Sequence, residues 1–294
     1  MALRRDVDPD ARFRTDGIEG RCALALADLT DHDALVRVLN EHEVDAVYHL
    51  AAQTIVGTAN RSPLATWEAN VRGTYTLLEA CRGLGGVKRV VVASSDKAYG
   101  VQPRLPYSED MPLQGRHPYD VSKSCADLLT QAYACTYQLP ACITRCGNLY
   151  GGGDLNWNRL VPGTIRAALR GERPVIRSDG TLVRDYLYVE DAVLAYLSVA
   201  EQLAERRELS GQAFNFSYET QQTVLDFCRR ILRSAGRQDL EPEVRAEVRH
   251  EIPHQYLDAS RARSGLSWRP SFDLDEGLRR TVDWYRGFFE DAAR

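Results

Sequence analysis

The stretch RVVVASSDKAYG at residues 89–100 decides the fold. Its first half, Arg89 to Ala93, is an apolar run rich in β-branched valine, which predicts a strand. Its second half gathers the hydroxyls of Ser94 and Ser95, the carboxylate of Asp96 and the ammonium of Lys97 just beyond that strand's carboxyl end. In open α/β sheets this is where binding and catalytic loops collect. A strand that ends in such a cluster predicts a parallel sheet with a site at its carboxyl edge.

Outward from this stretch the same grammar repeats. Residues 44–52 form a second apolar run, and residues 142–146 supply a third. Amphipathic segments at 66–81 and 118–137 alternate with them, the signature of a doubly wound sheet with helices on both faces. Residues 1–150 are therefore read as a Rossmann-like dinucleotide-binding domain. After Gly151, Gly152 and Gly153 the pattern changes to a helix at 161–170, a short strand at 174–176 and a segment at 184–198. This predicts a smaller substrate lobe over 151–294, with about 190–218 returning to the first domain. Residues 213–217 alternate like a strand, and Leu278, Val282, Tyr285 and Phe289 mark one face of a last helix.

Bulk properties exclude several partners. The chain carries 37 basic and 41 acidic residues, so no broad field favours nucleic acid or an anionic membrane, and an anionic ligand must be met locally. No apolar run approaches the roughly 18 residues of a membrane helix, and the first ten residues are charged. Seven cysteines, odd in number and without a C-x-x-C pair, fit reduced thiols in the cytoplasm. Cys142 and Cys146 have no histidine near them in sequence, so no metal is expected.

Tyr119 and Lys123 stand four residues apart in a helical pattern, which puts both on one face. An ammonium beside a phenol favours the phenolate, so the tyrosine pKa is expected to fall toward the range where it takes a proton from a sugar hydroxyl. By itself Y-x-x-x-K is a common surface pair. Its place after the 94–97 cluster is what gives it chemical meaning.

Several ordered motifs carry a family resemblance. They are ADLTD at 27–31, HLAAQ at 49–53, NVRGT at 70–74, the serine strand end, Tyr119 with Lys123, RCGNLYG at 145–151 and RDYLYVED at 184–191. In this order the chain resembles the extended short-chain dehydrogenase/reductases, the NAD-dependent nucleotide-sugar epimerases and dehydratases. The resemblance implies NAD as cofactor and a nucleotide-diphosphate sugar as substrate. It assigns Ser95, Tyr119 and Lys123 as the hydroxyl, tyrosine and lysine triad. By the same resemblance Asp28 and Leu29 lie against the adenine, and Leu50, Ala51, Ala52, Gln53, Asn70 and Ser94 line the cofactor, with Tyr119 and Lys123. Asn148, Arg159 and Arg184 fall to the nucleotide sugar, where a guanidinium suits phosphate oxygens.

Asp96 and Lys97 separate the reactions within that family. Its epimerases carry small residues there, whereas its dehydratases place an acid and a base. The Asp-Lys version resembles CDP-glucose 4,6-dehydratases and also inverting UDP-N-acetylglucosamine dehydratases, with the surrounding run favouring the former. A homodimer through the two long helices of the first domain is the family's habit.

One part of the family pattern is missing. The family opens with a strand, a G-x-x-G-x-x-G turn and a helix whose N-terminus receives the cofactor pyrophosphate. Here Gly17 and Gly20 follow no strand, and Met1 to Arg5 reads as the family's second strand. The expectation is a Rossmann-like sheet that lacks its first strand and glycine loop, with the neighbours of that central strand left unpaired. The leading reading is an NDP-hexose 4,6-dehydratase acting on a CDP-glucose-like substrate. The alternatives are an NDP-sugar 4-epimerase and a non-catalytic nucleotide-sugar-binding protein that has lost NAD binding.

Overall fold

Val90, Val91 and Val92 are all fully buried, and their side chains divide between two cores. Successive residues of a strand face opposite sides of the sheet. Val90 and Val92 pack with Leu35, Leu39, Leu77 and Leu78, whereas Val91 packs with Val199, Leu203, Phe214 and Phe216. Both faces of the strand are thus covered by apolar side chains, the condition under which a parallel sheet is stable.

The computed structural model describes residues 2–4, 12–247 and 252–292. The chain begins with strand β1 (Ala2–Arg4), helix α1 (Arg12–Thr15), β2 (Leu24–Leu26), α2 (His32–Glu41) and β3 (Ala46–His49). Next come α3 (Val56–Arg61), α4 (Pro63–Trp67), α5 (Gly73–Leu84), β4 (Arg89–Ala93), α6 (Pro118–Tyr137) and β5 (Ala141–Cys146). Beyond these lie β6 (Asn148–Tyr150), α7 (Leu160–Arg170), β7 (Val175–Ile176), β8 (Val183–Arg184), β9 (Tyr186–Tyr188) and α8 (Val189–Glu205). The remainder is β10 (Ala213–Phe216), β11 (Gln222–Thr223), α9 (Val224–Ser234), β12 (Glu243–Val244), α10 (Ser260–Leu266) and α11 (Leu274–Ala292).

A four-stranded parallel sheet in the order β10-β5-β4-β3 forms the frame. In its register Tyr48 stands beside Val91, and Val91 beside Cys142. Strands β1 and β2 form a separate parallel pair. The ladder is interrupted between that pair and β3, so among the described residues β3 is an edge, with Tyr48 and Leu50 exposed. This gap is where the sequence reading expects the family's central first strand to be missing.

Helix α6 spans the residues its pattern predicts. Pro118 occupies the first turn, where a missing N–H costs nothing, and Gln138 ends the helix in the left-handed conformation. Behind it, Arg145 and Asp127 form a two-pronged ion pair at 2.8 and 2.9 Å, both fully buried. Helices α7, α9 and α11 bury a second core, with Ile165, Phe227, Ile231, Leu278 and Tyr285 packed around Tyr150, Tyr186 and Tyr188. No helix among the described residues is long and apolar enough to cross a membrane.

Candidate active site

The 94–97 cluster turns as a short 3-10 helix over Asp96–Tyr99 immediately after β4. Ser95 caps it, its Oγ accepting from the Lys97 N–H at 3.3 Å and donating to Asp96 Oδ1 at 3.0 Å. Gly100 ends the turn with φ +63°, and a Cβ there would lie 2.1 Å from the Gln114 carbonyl oxygen. Only glycine meets both demands without displacing the 114 backbone. Tyr99 is held from below, its hydroxyl accepting from Arg145 and donating to Asn215, both at 2.8 Å. The buried Asp127–Arg145 pair therefore fixes the floor on which Asp96 and Lys97 stand.

Helix α6 delivers Tyr119 and Lys123 to the same place. Lys123 Nζ donates to the Ala93 carbonyl at 2.8 Å, tying the helix to the end of β4, and Ser94 Oγ donates to the Lys123 carbonyl at 3.5 Å. Beyond the effect of burial, Ser95 and Asp96 both act on the Tyr119 phenol, the hydroxyl lowering its pKa and the carboxyl raising it. The hydroxyl, tyrosine, lysine and acid–base pair are thereby brought together.

Charge in this site is governed by burial. The Tyr119 phenol is pushed up to about 12, with the Ser95 hydrogen bond and the Arg159 charge acting the other way. The expected lowering by its lysine is overturned: desolvation disfavours the phenolate, and it also lowers the Lys123 ammonium to about 8. Burial likewise raises Asp96 toward its neutral form, against the opposing charges of Lys97 and Arg184 and the Ser95 hydrogen bond. Asp120, in the first turn of α6, is raised by burial too and feels Lys97 and His117. His49, buried at the end of β3, is held near 3 by burial and the Lys123 charge, so it is neutral in its contact with Thr74 Oγ1 at 2.9 Å.

The residues assigned to the cofactor divide by position. Asn70 clamps Gln53 at both backbone groups, accepting from its N–H at 2.7 Å and donating to its carbonyl at 3.0 Å, and also donates to Ser122 at 2.8 Å. Leu50 and Ala51 are exposed beyond β3, whereas Ala52 and Gln53 are half-buried. Asp28 accepts from the Thr30 N–H and hydroxyl, and Leu29 lies against Gly73 at the start of α5. The hydroxyl, phenol, ammonium and amide groups of Ser94, Tyr119, Lys123 and the Asn70-clamped loop are of the kind that could hold polar groups of a dinucleotide. Among the described residues, no strand of the four-stranded sheet is followed by a glycine-rich turn into a helix of the kind that receives a pyrophosphate.

On the opposite side Asn148 opens β6, its N–H donating to the Asp185 carbonyl at 2.8 Å. Arg159 pairs with Asp154 and donates to Thr54 at 3.3 Å, so it ties the 154–159 loop to the segment after β3. Arg184 is buried, and its Nη1 donates to the carbonyls of Val183, Ile252 and Pro253. Sequence reasoning missed two buried groups here. Gln255 accepts from Lys97 Nζ at 3.3 Å, and Asp185 accepts from the Ser217 hydroxyl and the Leu257 N–H. The RDYLYVED motif contains Asp185, so that signal was available, but nothing in the sequence links Gln255 to Lys97 across 158 residues.

Asp185 supplies a pH-dependence prediction. Burial, with added repulsion from Asp96 and Glu219, raises its carboxyl to about 7 despite the Ser217 and Leu257 hydrogen bonds. An unfolded aspartate loses its proton near pH 4. Between about pH 4 and 7 the folded state therefore holds the extra proton, and its stability falls as pH rises. Asp185→Asn should lack this slope, so the variant gains on the order of 3–4 kcal/mol relative to the parent between those limits. Urea unfolding at a series of pH values checks it, and parallel curves would show that Asp185 titrates normally.

A hydroxyl–tyrosine–lysine site at the carboxyl edge of a Rossmann-like sheet defines an extended short-chain dehydrogenase/reductase. Residues 8–281 match the family model described as GDP-mannose 4,6 dehydratase, and the chain belongs to that family. Among its relatives, the CDP-glucose 4,6-dehydratase of Salmonella typhimurium is 29% identical over 278 residues, covering 90% of this chain and 76% of that protein. The dTDP-glucose 4,6-dehydratase of Streptomyces venezuelae, solved with NAD bound, superposes with a TM-score of 0.82 at 31% identity, covering 92% of this chain and 81% of that one. A UDP-glucose 4-epimerase of Thermotoga maritima, solved with UDP-glucose, gives 0.83 at 28% identity, covering 91% and 85%. Dehydratase and epimerase share this fold equally, so the side chains at the site must distinguish the two reactions.

Proposed function

We propose that the protein is an NAD-dependent nucleotide-sugar 4,6-dehydratase, converting an NDP-hexose to an NDP-4-keto-6-deoxyhexose with loss of water. The observation that carries this reading is Asp96 and Lys97 on the capped turn beside Tyr119. An epimerase needs only the tyrosine and lysine. A buried carboxyl biased toward its acid form, next to an amine, is what elimination requires in addition.

NAD supplies a reversible hydride store, filled from C4 of the sugar and emptied at C6. Tyr119 takes the O4 proton as its phenolate while the C4 ketone forms; burial disfavours that form and the positive nicotinamide of a bound NAD would favour it. That ketone acidifies the C5 hydrogen, which Lys97 (or Asp96) removes, while Asp96 protonates the departing 6-hydroxyl so that it leaves as water; hydride would then return to C6 as the base gives its proton back to C5. Lys123 and Ser95 hold Tyr119 in place. Asn148, Arg159 and Arg184 are assigned to the nucleotide sugar, the two arginines within a lobe formed by 151–294 from which about 190–218 return to the sheet.

The proposed substrate is CDP-glucose, and the names of the relatives support a diphosphate-linked glucose. The test is incubation of CDP-, dTDP-, UDP- and GDP-glucose with protein and NAD, followed by mass spectrometry. Loss of one water from CDP-glucose ahead of the others is expected. Loss from another nucleotide alone overturns the base assignment, and interconversion without mass change makes the enzyme an epimerase.

A homodimer is proposed through the outer faces of α5 and α6, where Tyr75 and Leu128 are exposed. The cytoplasm is the proposed compartment, in keeping with seven free cysteines.

A further inference from the structure

Gln255 is almost fully buried, 1% exposed, in a segment held from both lobes. Its own N–H donates to the Val183 carbonyl at 3.1 Å, while Tyr107 donates to the Tyr256 carbonyl and Asp258 donates back to Tyr107, both at 2.9 Å. Leu257 is anchored on Asp185 at 3.1 Å. The side chain is therefore placed by the fold, and its Oε1 accepts from Lys97 Nζ at 3.3 Å. An ammonium only donates, which fixes the oxygen of the amide toward Lys97 and leaves Nε2 as the other end. That Nε2 is buried and has no hydrogen-bond partner among the described residues.

A buried amide N–H left without an acceptor is costly, and native structures keep such groups chiefly where something else fills them. Resting on the dehydratase reading, we propose that Gln255 is a positioning residue: it aims the amine of Lys97 through Oε1 and receives an oxygen of the bound hexose on Nε2. The amide suits both tasks. It orients the amine without adding a third negative group beside Asp96 and Asp120, the buried carboxyls that already feel the Lys97 charge. A sugar presents hydroxyl and ring oxygens, and one of them completes the amide. Substrate and base are thereby registered to one another by a single side chain.

Two variants separate the two ends. Gln255→Leu removes both contacts, whereas Gln255→Glu keeps an acceptor for Lys97 but no donor for the sugar. Calorimetry with CDP-glucose and dTDP-glucose, against CDP and dTDP, reads the sugar contact. Gln255→Leu and Gln255→Glu should each weaken the better-bound NDP-glucose about tenfold and leave its nucleoside diphosphate unchanged. Single turnovers in deuterated water read the amine contact. Gln255→Leu should slow C5 exchange at least tenfold more than cofactor reduction, and Gln255→Glu should slow it as well near neutral pH, since its carboxylate holds Lys97 as the ammonium, with part of the rate returning as pH rises. Equal loss of affinity for the sugar nucleotide and the bare nucleotide, equal slowing of both steps, or no effect would overturn the assignment. If the parent enzyme binds NDP-glucose yet exchanges no C5 hydrogen, the dehydratase reading fails, while the affinity comparison still decides whether Nε2 meets the sugar.

Discussion

Replacing Tyr119 with phenylalanine is expected to slow reduction of the cofactor by about a hundred- to ten-thousand-fold, the range over which a positioned acid or base contributes. Nucleotide-sugar affinity should stay within about threefold, because the phenolic oxygen acts chiefly as the O4 proton leaves. The ring keeps its place in this variant: Tyr119 sits in a buried helix face, and phenylalanine fills the same volume. Stopped-flow recording of the nicotinamide band with the preferred NDP-glucose makes the measurement. A parallel fall in affinity and rate would recast Tyr119 as a binding residue.

Asp96 and Lys97 should fail at different steps. Lys97→Ala is expected to reduce the cofactor and form the 4-keto sugar but to incorporate solvent deuterium at C5 at least a hundredfold more slowly. Asp96→Asn should retain C5 exchange and lose the elimination itself, since the 6-hydroxyl would depart without a proton. Its carboxyl is suited to that donation because burial holds it toward the neutral form. Proton NMR of the product in deuterated water separates these outcomes. Normal dehydration by both variants would reduce the pair to a charged turn and remove the ground for distinguishing this protein from an epimerase.

Much of this site was legible in the sequence because its parts are local. Strand β4 runs directly into Asp96 and Lys97, and four-residue spacing on one helix sets Tyr119 beside Lys123. The pattern also gave α6 its limits, since Pro118 and the apolar period bracket it. Two features were not legible. The direction of the Tyr119 shift depends on how much water the folded site excludes, and spacing along a helix says nothing of that. The Lys97–Gln255 contact depends on Val183 and Tyr107 gripping the 253–258 segment, which is tertiary packing with no repeat or motif behind it. Arg184 lies between these cases: its motif marked it, but its hydrogen bonds to the 252 and 253 carbonyls give it a part in shaping the wall that carries Gln255.

The edge at β3 bears on how this polypeptide behaves in a tube. Among the described residues this parallel strand has one unpaired side, which offers a row of amides and carbonyls to any other extended chain, and Tyr48 and Leu50 add greasy surface beside it. Proteins usually blunt such a margin with lysine, proline or a bulge, yet the strand itself reads Ala46, Val47, Tyr48 and His49. Turbidity that grows with concentration and is relieved by mutating Tyr48 to lysine would trace self-association to this margin. High protein concentration is then the condition under which this margin matters most.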